Sequence, residues 1–250
     1  MTVGFWRLHY HESLGSTSVL CTSLAAAGEP EGLAVMALRQ TEGRGSRGRQ
    51  WQSPAGNLYI SVLLRPRAPS NEGGSWALLS AVAVADAVAT FLPDASQLAV
   101  KWPNDVLLDG RKLCGILIDA SAKQDGMLDW LVIGCGVNLA HAPDVPGRRT
   151  AALAERISPP SPRAMAEILL ERLAHWRGIR ARDGFGAIRT AWLERAQPMG
   201  APMQLTYNGQ LLGGTFAGLA DDGSLLLDTG SGVKAFATGE ILLQAHPAGG

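Results

Sequence analysis

Lysine, asparagine and aspartate side chains are concentrated in KWPNDVLLDGRKLCG, the segment from Lys101 to Gly115. Asp105 and Lys112 both stand beside short apolar runs, which would bring the two charges close to a core. A buried lysine needs a partner or an anionic ligand to stay charged at tolerable cost. The Asp109-Gly110 pair between apolar runs is a hairpin signal. The segment therefore predicts a hairpin carrying a carboxylate and a cation, although an ordinary hairpin with a polar turn fits the same pattern.

Glycine and arginine alternate in a second segment, QTEGRGSRGRQW at 40–51. Its glycines can turn successive backbone N–H groups toward one anion. Three arginines add planar forks that suit a carboxylate or a phosphate, namely Arg44, Arg47 and Arg49. Trp51 offers a flat face on which a base could stack. The spacing matches neither a P-loop nor a Rossmann fingerprint, and a solvated surface loop that binds RNA is the alternative.

Two shorter segments carry weaker signals. IGCGVNL at 133–139 places Gly134 and Gly136 within a strand, which indicates close approach to the backbone, and a tight strand crossing explains it equally well. Ser16 or Thr17 can cap the helix that follows them, and capping alone accounts for their presence.

Composition excludes several classes of protein. With 250 residues, 46% hydrophobic and 18% charged, the chain can bury a sizeable core, so disorder is excluded. The net charge of zero disfavours general nucleic-acid binding. No secretory leader is visible, and the alanine-rich segment 76–92 contains Asp86, so it predicts a buried helix rather than a membrane span. Three cysteines without pairing or metal-like spacing predict a reduced, cytoplasmic protein with no metal site of its own.

The predicted elements form an α+β domain at residues 1–197 and a small β-barrel at 198–250. In the first domain we expect helices at 17–27, 75–91, 162–182 and 185–196, and strands at 33–40, 57–64, 98–102, 106–108, 113–120 and 128–138. Residues 140–150 are rich in proline and glycine, which indicates a mobile loop. Ser161 followed by proline is a good helix start. From Pro198 onward, five short β-like runs are separated by Asn-Gly, Asp-Gly and Gly-Gly turns.

Taken together, five segments resemble the biotin protein ligases (biotin–[acetyl-CoA-carboxylase] ligases) in order and spacing. They are GSTS at 15–18, QTEGRGSRGRQW at 40–51, NLYISVLL at 57–64, KWPNDVLLDGRKLCGIL at 101–117 and IGCGVNL at 133–139. KWPND followed by RKLCGIL is the most specific of these, and the resemblance covers nearly the whole chain. It implies a mixed sheet packed by helices, related to class II tRNA synthetases and lipoyl transferases, followed by an SH3-like barrel.

The resemblance also implies an activity and its partners. The family converts biotin and MgATP to biotinyl-5′-AMP and then transfers the biotinyl group to a lysine of a biotin carboxyl carrier domain. Because the stretch before His11 is too short for a winged helix–turn–helix, we expect the monofunctional type, with no operator DNA and no membrane as partner. A homodimer is compatible with the family.

Site residues follow from the resemblance, position by position. Biotin would be bound by Ser16, Thr17, Gln40, Gly43, Arg44, Lys112, Gly115 and Gly134. The nucleotide would be bound by Arg47, Arg49, Trp51, Asn104, Lys112 and Asn138. Arg44 and Lys112 would hold the biotin carboxylate and the α-phosphate, Asp105 would contact the acceptor lysine, and loop 140–150 would cover the adenylate. Gly115, Gly134 and Gly136 would let the ligand approach the backbone. Ser46 and Ser18 depart from the arginine and asparagine frequent in the family.

Two alternatives remain at this point. A lipoate or octanoate ligase or transferase would share the fold, but the polar residues Ser16, Thr17 and Gln40 and the KWPND segment favour biotin. An octanoyltransferase would need a nucleophilic cysteine, and Cys135 has no base nearby in the sequence. A non-catalytic module that binds RNA or a nucleotide is the second alternative, and neutral charge disfavours its RNA form.

Overall fold

The first of two sheets forms the centre of the molecule. The structure is a computed structural model that describes residues 2–242. The sheet contains β1 (Thr2–Val3), β2 (Trp6–Leu14), β3 (Leu33–Gln40), β4 (Leu58–Leu64), β5 (Leu98–Lys101), β6 (Asp105–Leu108), β7 (Arg111–Ala122) and β8 (Leu128–Val137). Its order is β1-β2-β3-β4-β8-β7-β6-β5, in which β2 and β3 pair in parallel and the other pairs are antiparallel. The predicted mixed sheet is confirmed.

Helices cover both faces of this sheet. They are α1 (Thr17–Ala26), α2 (Gly73–Ala89), α3 (Pro162–Asp183) and α4 (Phe185–Leu193). Helices α2, α3 and α4 share the larger core, whereas α1 packs through Cys21 and Ala25 on the opposite face. Helix α2 is apolar all round because other elements surround it, as predicted for a buried helix. Within residues 2–242, no helix is long and apolar enough to cross a membrane.

The second sheet contains the five predicted short strands. They are β9 (Pro202–Tyr207), β10 (Gln210–Leu219), β11 (Leu225–Asp228), β12 (Val233–Phe236) and β13 (Glu240–Leu242), in the antiparallel order β12-β11-β10-β9-β13. Among the described residues no pairing joins β12 to β13, so the sheet stays open where a closed barrel was expected. Part of that prediction, residues 243–250, lies outside the described residues. Leu205 and Phe216 of this sheet join the core around α2, so apolar packing connects the two sheets.

Most element bounds agree with the sequence predictions. The 33–40 strand is reproduced as β3, and the Asp109-Gly110 turn joins β6 to β7 with φ values of 52° and 68°. Strands β1 and β2 were not predicted, because WRLHYHESL buries only Trp6 and Leu8 and shows no sustained alternation.

The two predicted helix caps have different outcomes. Ser161 accepts a hydrogen bond from Ala164 N at 3.1 Å, as expected of a cap. Ser16 occupies the cap position of α1, but its hydroxyl makes no capping bond and lies 3.1 Å from the Ser18 hydroxyl instead. The polar side chains at the start of α1 are therefore not explained by capping alone.

Candidate active site

A cleft lies over the middle of the first sheet, on the face opposite α2. Ser61, Gly134 and Gly136 alternate along β4 and β8 with residues that point into the α2 core, so they face the cleft. The structure brings most of the predicted biotin and nucleotide residues to this cleft: Ser16, Thr17, Gln40, Arg44, Trp51, Asn104, Lys112, Gly115 and Gly134. Gly43 lies behind it, where a Cβ would overlap the Trp51 carbonyl and Ser53.

One end of the cleft carries linked hydroxyl and amide groups. Thr17 donates to Gln40 Oε1 from its backbone N at 2.8 Å and from its hydroxyl at 3.1 Å. The Thr17 hydroxyl also lies 2.9 Å from the Ser61 hydroxyl, and Gln40 Nε2 donates to Ser53 Oγ at 2.9 Å. Sequence analysis missed Ser61 and Ser53. The single serine within the apolar run LYISVLL was the signal for Ser61, since a polar residue in a buried strand needs a partner.

The hairpin of β6 and β7 supplies the charges at the other end. Asp105 is buried, and its Oδ1 lies 2.5 Å from Lys112 Nζ while its Oδ2 lies 3.2 Å from Lys101 Nζ. The pairing register shifts between Val106 and Leu107, so Lys112 stands at an irregularity that redirects its side chain. The predicted carboxylate and cation are thus in contact, and a second lysine shares the carboxylate.

Trp51 lies against the backbone of β7 and β8. A Cβ added to Gly115 or Gly136 would stand 2.8 Å or 2.6 Å from the Trp51 ring. These two glycines therefore make room for the indole, where sequence analysis expected a ligand. The Lys112 ammonium lies 5.3 Å from the centroid of the same ring. Beside Trp51 a slot of about 270 Å³ is also lined by Pro143 and Val145 of loop 140–150.

The arginines of segment 40–51 point in two directions. Arg44 donates from both terminal nitrogens to the Asp119 carboxylate, each at 3.5 Å. Arg47 and Arg49 pair with Glu240 of β13, at 3.1 Å and 2.9 Å, and Arg148 pairs with the same carboxylate. Sequence analysis missed Glu240 and Asp119, because nothing local marks a carboxylate as the partner of a distant arginine.

The two predicted asparagines differ in position. Asn104 lines the cleft and donates to Ile116 O at 2.5 Å. Asn138 is buried behind Lys112, where its amide donates to Ala151 O at 3.1 Å. Asn138 therefore holds the chain at Ala151, directly after loop 140–150. Its predicted contact with the nucleotide stays a prediction.

Neither a metal cluster nor a reactive thiol lies in the described part of the chain. Residues 2–242 contain no group of three or more His, Cys, Asp or Glu side chains arranged to hold a metal ion. Burial in the core beneath the cleft raises the pKa of Cys135 to about 12. A thiol of this kind is protonated near neutrality and is a poor nucleophile, which weakens the octanoyltransferase alternative.

Comparisons with known proteins agree with this geometry. Residues 12–138 match the model of the biotin/lipoate A/B protein ligase family. The chain belongs to this family. Residues 200–244 match the model of the biotin protein ligase C terminal domain, so both sheets carry ligase signatures.

Two named relatives and one solved structure are similar over most of their length. A biotin–[acetyl-CoA-carboxylase] ligase of Paracoccus denitrificans is 35% identical over 218 residues, covering 83% of this chain and 88% of that protein. The bifunctional ligase/repressor BirA of Bacillus subtilis (strain 168) is 34% identical over 246 residues, covering 94% and 74%. The Aquifex aeolicus biotin protein ligase in complex with biotin and ATP superposes with a TM-score of 0.80 at 26% identity, covering 94% and 97%.

Proposed function

We propose that this protein is an ATP-dependent biotin protein ligase. It activates biotin as biotinyl-5′-AMP and transfers the biotinyl group to a lysine of a biotin carboxyl carrier domain. Family membership and the biotin and ATP named for the similar Aquifex structure support this. The observation that carries it is the cleft itself, with linked hydroxyl and amide groups at one end and the Lys112–Asp105–Lys101 cluster at the other.

The hydroxyl and amide end suits the ureido ring of biotin. That ring presents two N–H donors and one carbonyl acceptor, and Thr17, Ser61 and Gln40 offer both donors and acceptors. Lipoate and octanoate lack the ureido group, so the remaining hydrogen-bonding capacity of these side chains would go unused, and each buried polar group left unsatisfied costs about 1–3 kcal/mol. We therefore expect selection for biotin by its head group.

Adenylation needs positive charge where the biotin carboxylate meets the α-phosphate of ATP. The carboxylate oxygen bonds to the α-phosphorus, and the bond to pyrophosphate breaks. Negative charge grows on the phosphate oxygens, so a fixed cation stabilises the transition state more than the ground state. We assign this role to Lys112, with Arg44 as the second cation, because the 3.5 Å bonds of Arg44 to Asp119 are long and readily exchanged.

The nucleotide would occupy the region between the two sheets. Adenine would stack on Trp51 in the slot that it shares with Pro143 and Val145. A further cavity of about 220 Å³, lined by Arg47, Arg49 and Arg148 together with Lys101 and Glu240, would accept the outer phosphates. Mg²⁺ would arrive as part of the substrate MgATP, bound mainly through the phosphates.

Transfer completes the reaction on the same cluster. The acceptor lysine amine attacks the acyl carbon of biotinyl-5′-AMP, the bond to AMP breaks, and AMP leaves with the bonding electrons. Asp105 would orient the incoming amine and receive its proton, and loop 140–150 would keep water from the mixed anhydride. The proposed setting is the cytoplasm, with the carrier domain as partner.

Pyrophosphate–ATP exchange by the purified protein with Mg²⁺ tests this function. Biotin, lipoate and octanoate are supplied separately, and exchange is expected with biotin alone. Exchange with lipoate or octanoate instead would keep the fold and overturn the assignment of the head-group end. No exchange with any acid, from folded protein, would favour a non-catalytic nucleotide-binding module.

A further inference from the structure

Asn57 makes an unusually dense set of contacts with the start of loop 140–150. This asparagine is fully buried and immediately precedes β4. Its Oδ1 accepts hydrogen bonds from three consecutive backbone N–H groups, those of Leu139, Ala140 and His141, at 2.9, 2.9 and 3.0 Å. Its Nδ2 donates to His141 O at 2.8 Å. One side chain therefore holds both the N–H groups and a carbonyl of this short segment.

The chain beside Asn57 also packs closely against the loop. Gly56 has a φ of +99°, and a Cβ there would stand 3.0 Å from the Ala140 Cβ, so the loop lies directly against the chain at this point. Tyr59, two residues further along the chain, lines the cleft and donates its hydroxyl to Pro54 O at 2.8 Å. Asn57 itself does not line the cleft.

The other end of the loop is attached to the catalytic hairpin. Lys112 N donates to Arg149 O at 2.8 Å, and Ala151 N donates to Lys112 O at 2.9 Å. Within the loop, the Thr150 hydroxyl donates to Pro143 O at 2.6 Å. Residues 142–148 therefore lie between one attachment at Asn57 and another at the Lys112 backbone. They include Pro143 and Val145, which line the slot beside Trp51.

We propose that Asn57 is a positioning residue that holds loop 140–150 over the nucleotide slot. The proposal rests on the proposed ligase function. If the Asn57 end were released, the loop would keep its attachment near Lys112, the Arg148–Glu240 ion pair and the Gln52 bond to Asp144 O. Its start, which leads to Pro143 and Val145, would no longer be fixed opposite Trp51. The slot would bind the nucleotide less tightly and would admit water to the activated acyl group.

The amide is needed for its combination of acceptor and donor. Alanine would leave three backbone N–H groups without their partner, that of Leu139 in a buried position and those of Ala140 and His141 in partly buried ones. Aspartate could accept the same three bonds, but it would bring a carboxylate oxygen against His141 O where Nδ2 now donates. Asn57→Asp should therefore fall between the wild type and Asn57→Ala. Leu79→Ala, in the α2 core, serves as a control for lost stability, because Leu79 does not line the cleft or the slot.

The first readout needs no substrate. Trypsin can cut the loop after Arg148 or Arg149, and the appearance of peptides ending there reports how firmly the loop is held. Cutting is expected to be about tenfold faster in Asn57→Ala than in the wild type, the effect of roughly one lost hydrogen bond. Leu79→Ala, compared at the same interval below its own Tm, should be cut at the wild-type rate.

The second readout is catalytic. In Asn57→Ala the KM for ATP should rise about tenfold while the KM for biotin stays within about twofold, because only the nucleotide slot uses the loop. Without a carrier domain, more biotinyl-5′-AMP should be hydrolysed or released per exchange event. The proposal would be overturned if Asn57→Ala matched Leu79→Ala both in the rate of trypsin cutting within the loop and in the KM for ATP. A wild type without biotin-dependent exchange would refute the ligase function, and the trypsin comparison would still decide whether Asn57 holds the loop.

Discussion

Lys112 Nζ lies 2.5 Å from Asp105 Oδ1 on the hairpin that joins β6 to β7. Lys101 Nζ lies 3.2 Å from the second oxygen of the same carboxylate, so two ammonium groups share one buried negative charge. Removing one partner of a buried ion pair costs several kcal/mol, because the other charge is left buried and unpaired. This cluster has two ammonium groups for one carboxylate, so it carries one positive charge in excess. That surplus positive charge can pair with an anionic ligand that binds beside Lys112.

Replacing Lys112 by alanine should impair adenylation strongly. By analogy with the loss of one oxyanion donor, we expect a cost of about 3 kcal/mol, or roughly 150-fold, in the biotin-dependent exchange rate. Lys123→Ala, at an exposed lysine, is the matched control. A Lys112→Ala protein that exchanges within about threefold of the wild type would contradict the assigned role.

Asp105→Ala should slow the second half-reaction. When preformed biotinyl-5′-AMP and a carrier domain are supplied, single-turnover transfer should fall by about 10²-fold or more, since general bases contribute on this scale. Starting from the adenylate separates this effect from any change in Lys112 during activation. Transfer at the wild-type rate would remove Asp105 from the mechanism.

Gly136→Ala should displace Trp51. The added Cβ would stand 2.6 Å from the indole Nε1, so the ring must move and the adenine slot must change shape. We expect the KM for ATP to rise about tenfold, the loss of a stacking contact of about 1–1.5 kcal/mol. Gly213→Ala is the control, because a Cβ there meets nothing within 4 Å. An unchanged KM for ATP would show that the indole does not shape the nucleotide site.

Glu240→Gln should strengthen ATP binding. Glu240 neutralises Arg47, Arg49 and Arg148, and its carboxylate competes with the phosphates for them. Glutamine keeps a hydrogen-bond acceptor and removes the charge, so the KM for ATP should fall about two- to fivefold, as expected for partly exposed ion pairs. Salt should weaken the gain. Glu171→Gln, at an exposed position of α3, is the control and should not change the KM for ATP. A higher KM for ATP in Glu240→Gln would mean that Glu240 helps ATP binding by ordering the arginines more than it hinders binding by competing with the phosphates.

Alkylation of the cysteines should leave the folded enzyme active. Burial raises the pKa of Cys21 and Cys135 to about 12 and that of Cys114 well above its usual value. At pH 8 iodoacetamide should modify none of them in the native protein and all three in urea. Because the thiols ionise earlier when unfolded, their contribution to stability is full below about pH 9 and is lost as pH rises toward 12. Rapid loss of exchange activity at pH 8 would reveal an accessible thiolate.

Local sequence patterns predicted most of the fold and part of the site. The Asp109-Gly110 turn brings Asp105 and Lys112 together within one hairpin, so their proximity was predictable from spacing. The segment LAVMALRQ predicted the 33–40 strand, and the alanine-rich apolar segment 76–92 predicted the buried α2. Strand β2 escaped prediction because tertiary pairing with β3, rather than its own pattern, makes it a strand.

The sequence by itself determined most of the secondary structure, the charged hairpin and the family. Tertiary structure decided which partners those residues meet: Trp51 against Gly136, Glu240 against the arginines of segment 40–51, and Asn57 against His141. Each of these contacts joins positions about 80 to 190 residues apart along the chain. The periodicity of a sequence shows only which face of a helix or strand is buried. Contacts between residues this far apart form only when the long chain segments between them close and the elements pack together, and local patterns do not specify that packing.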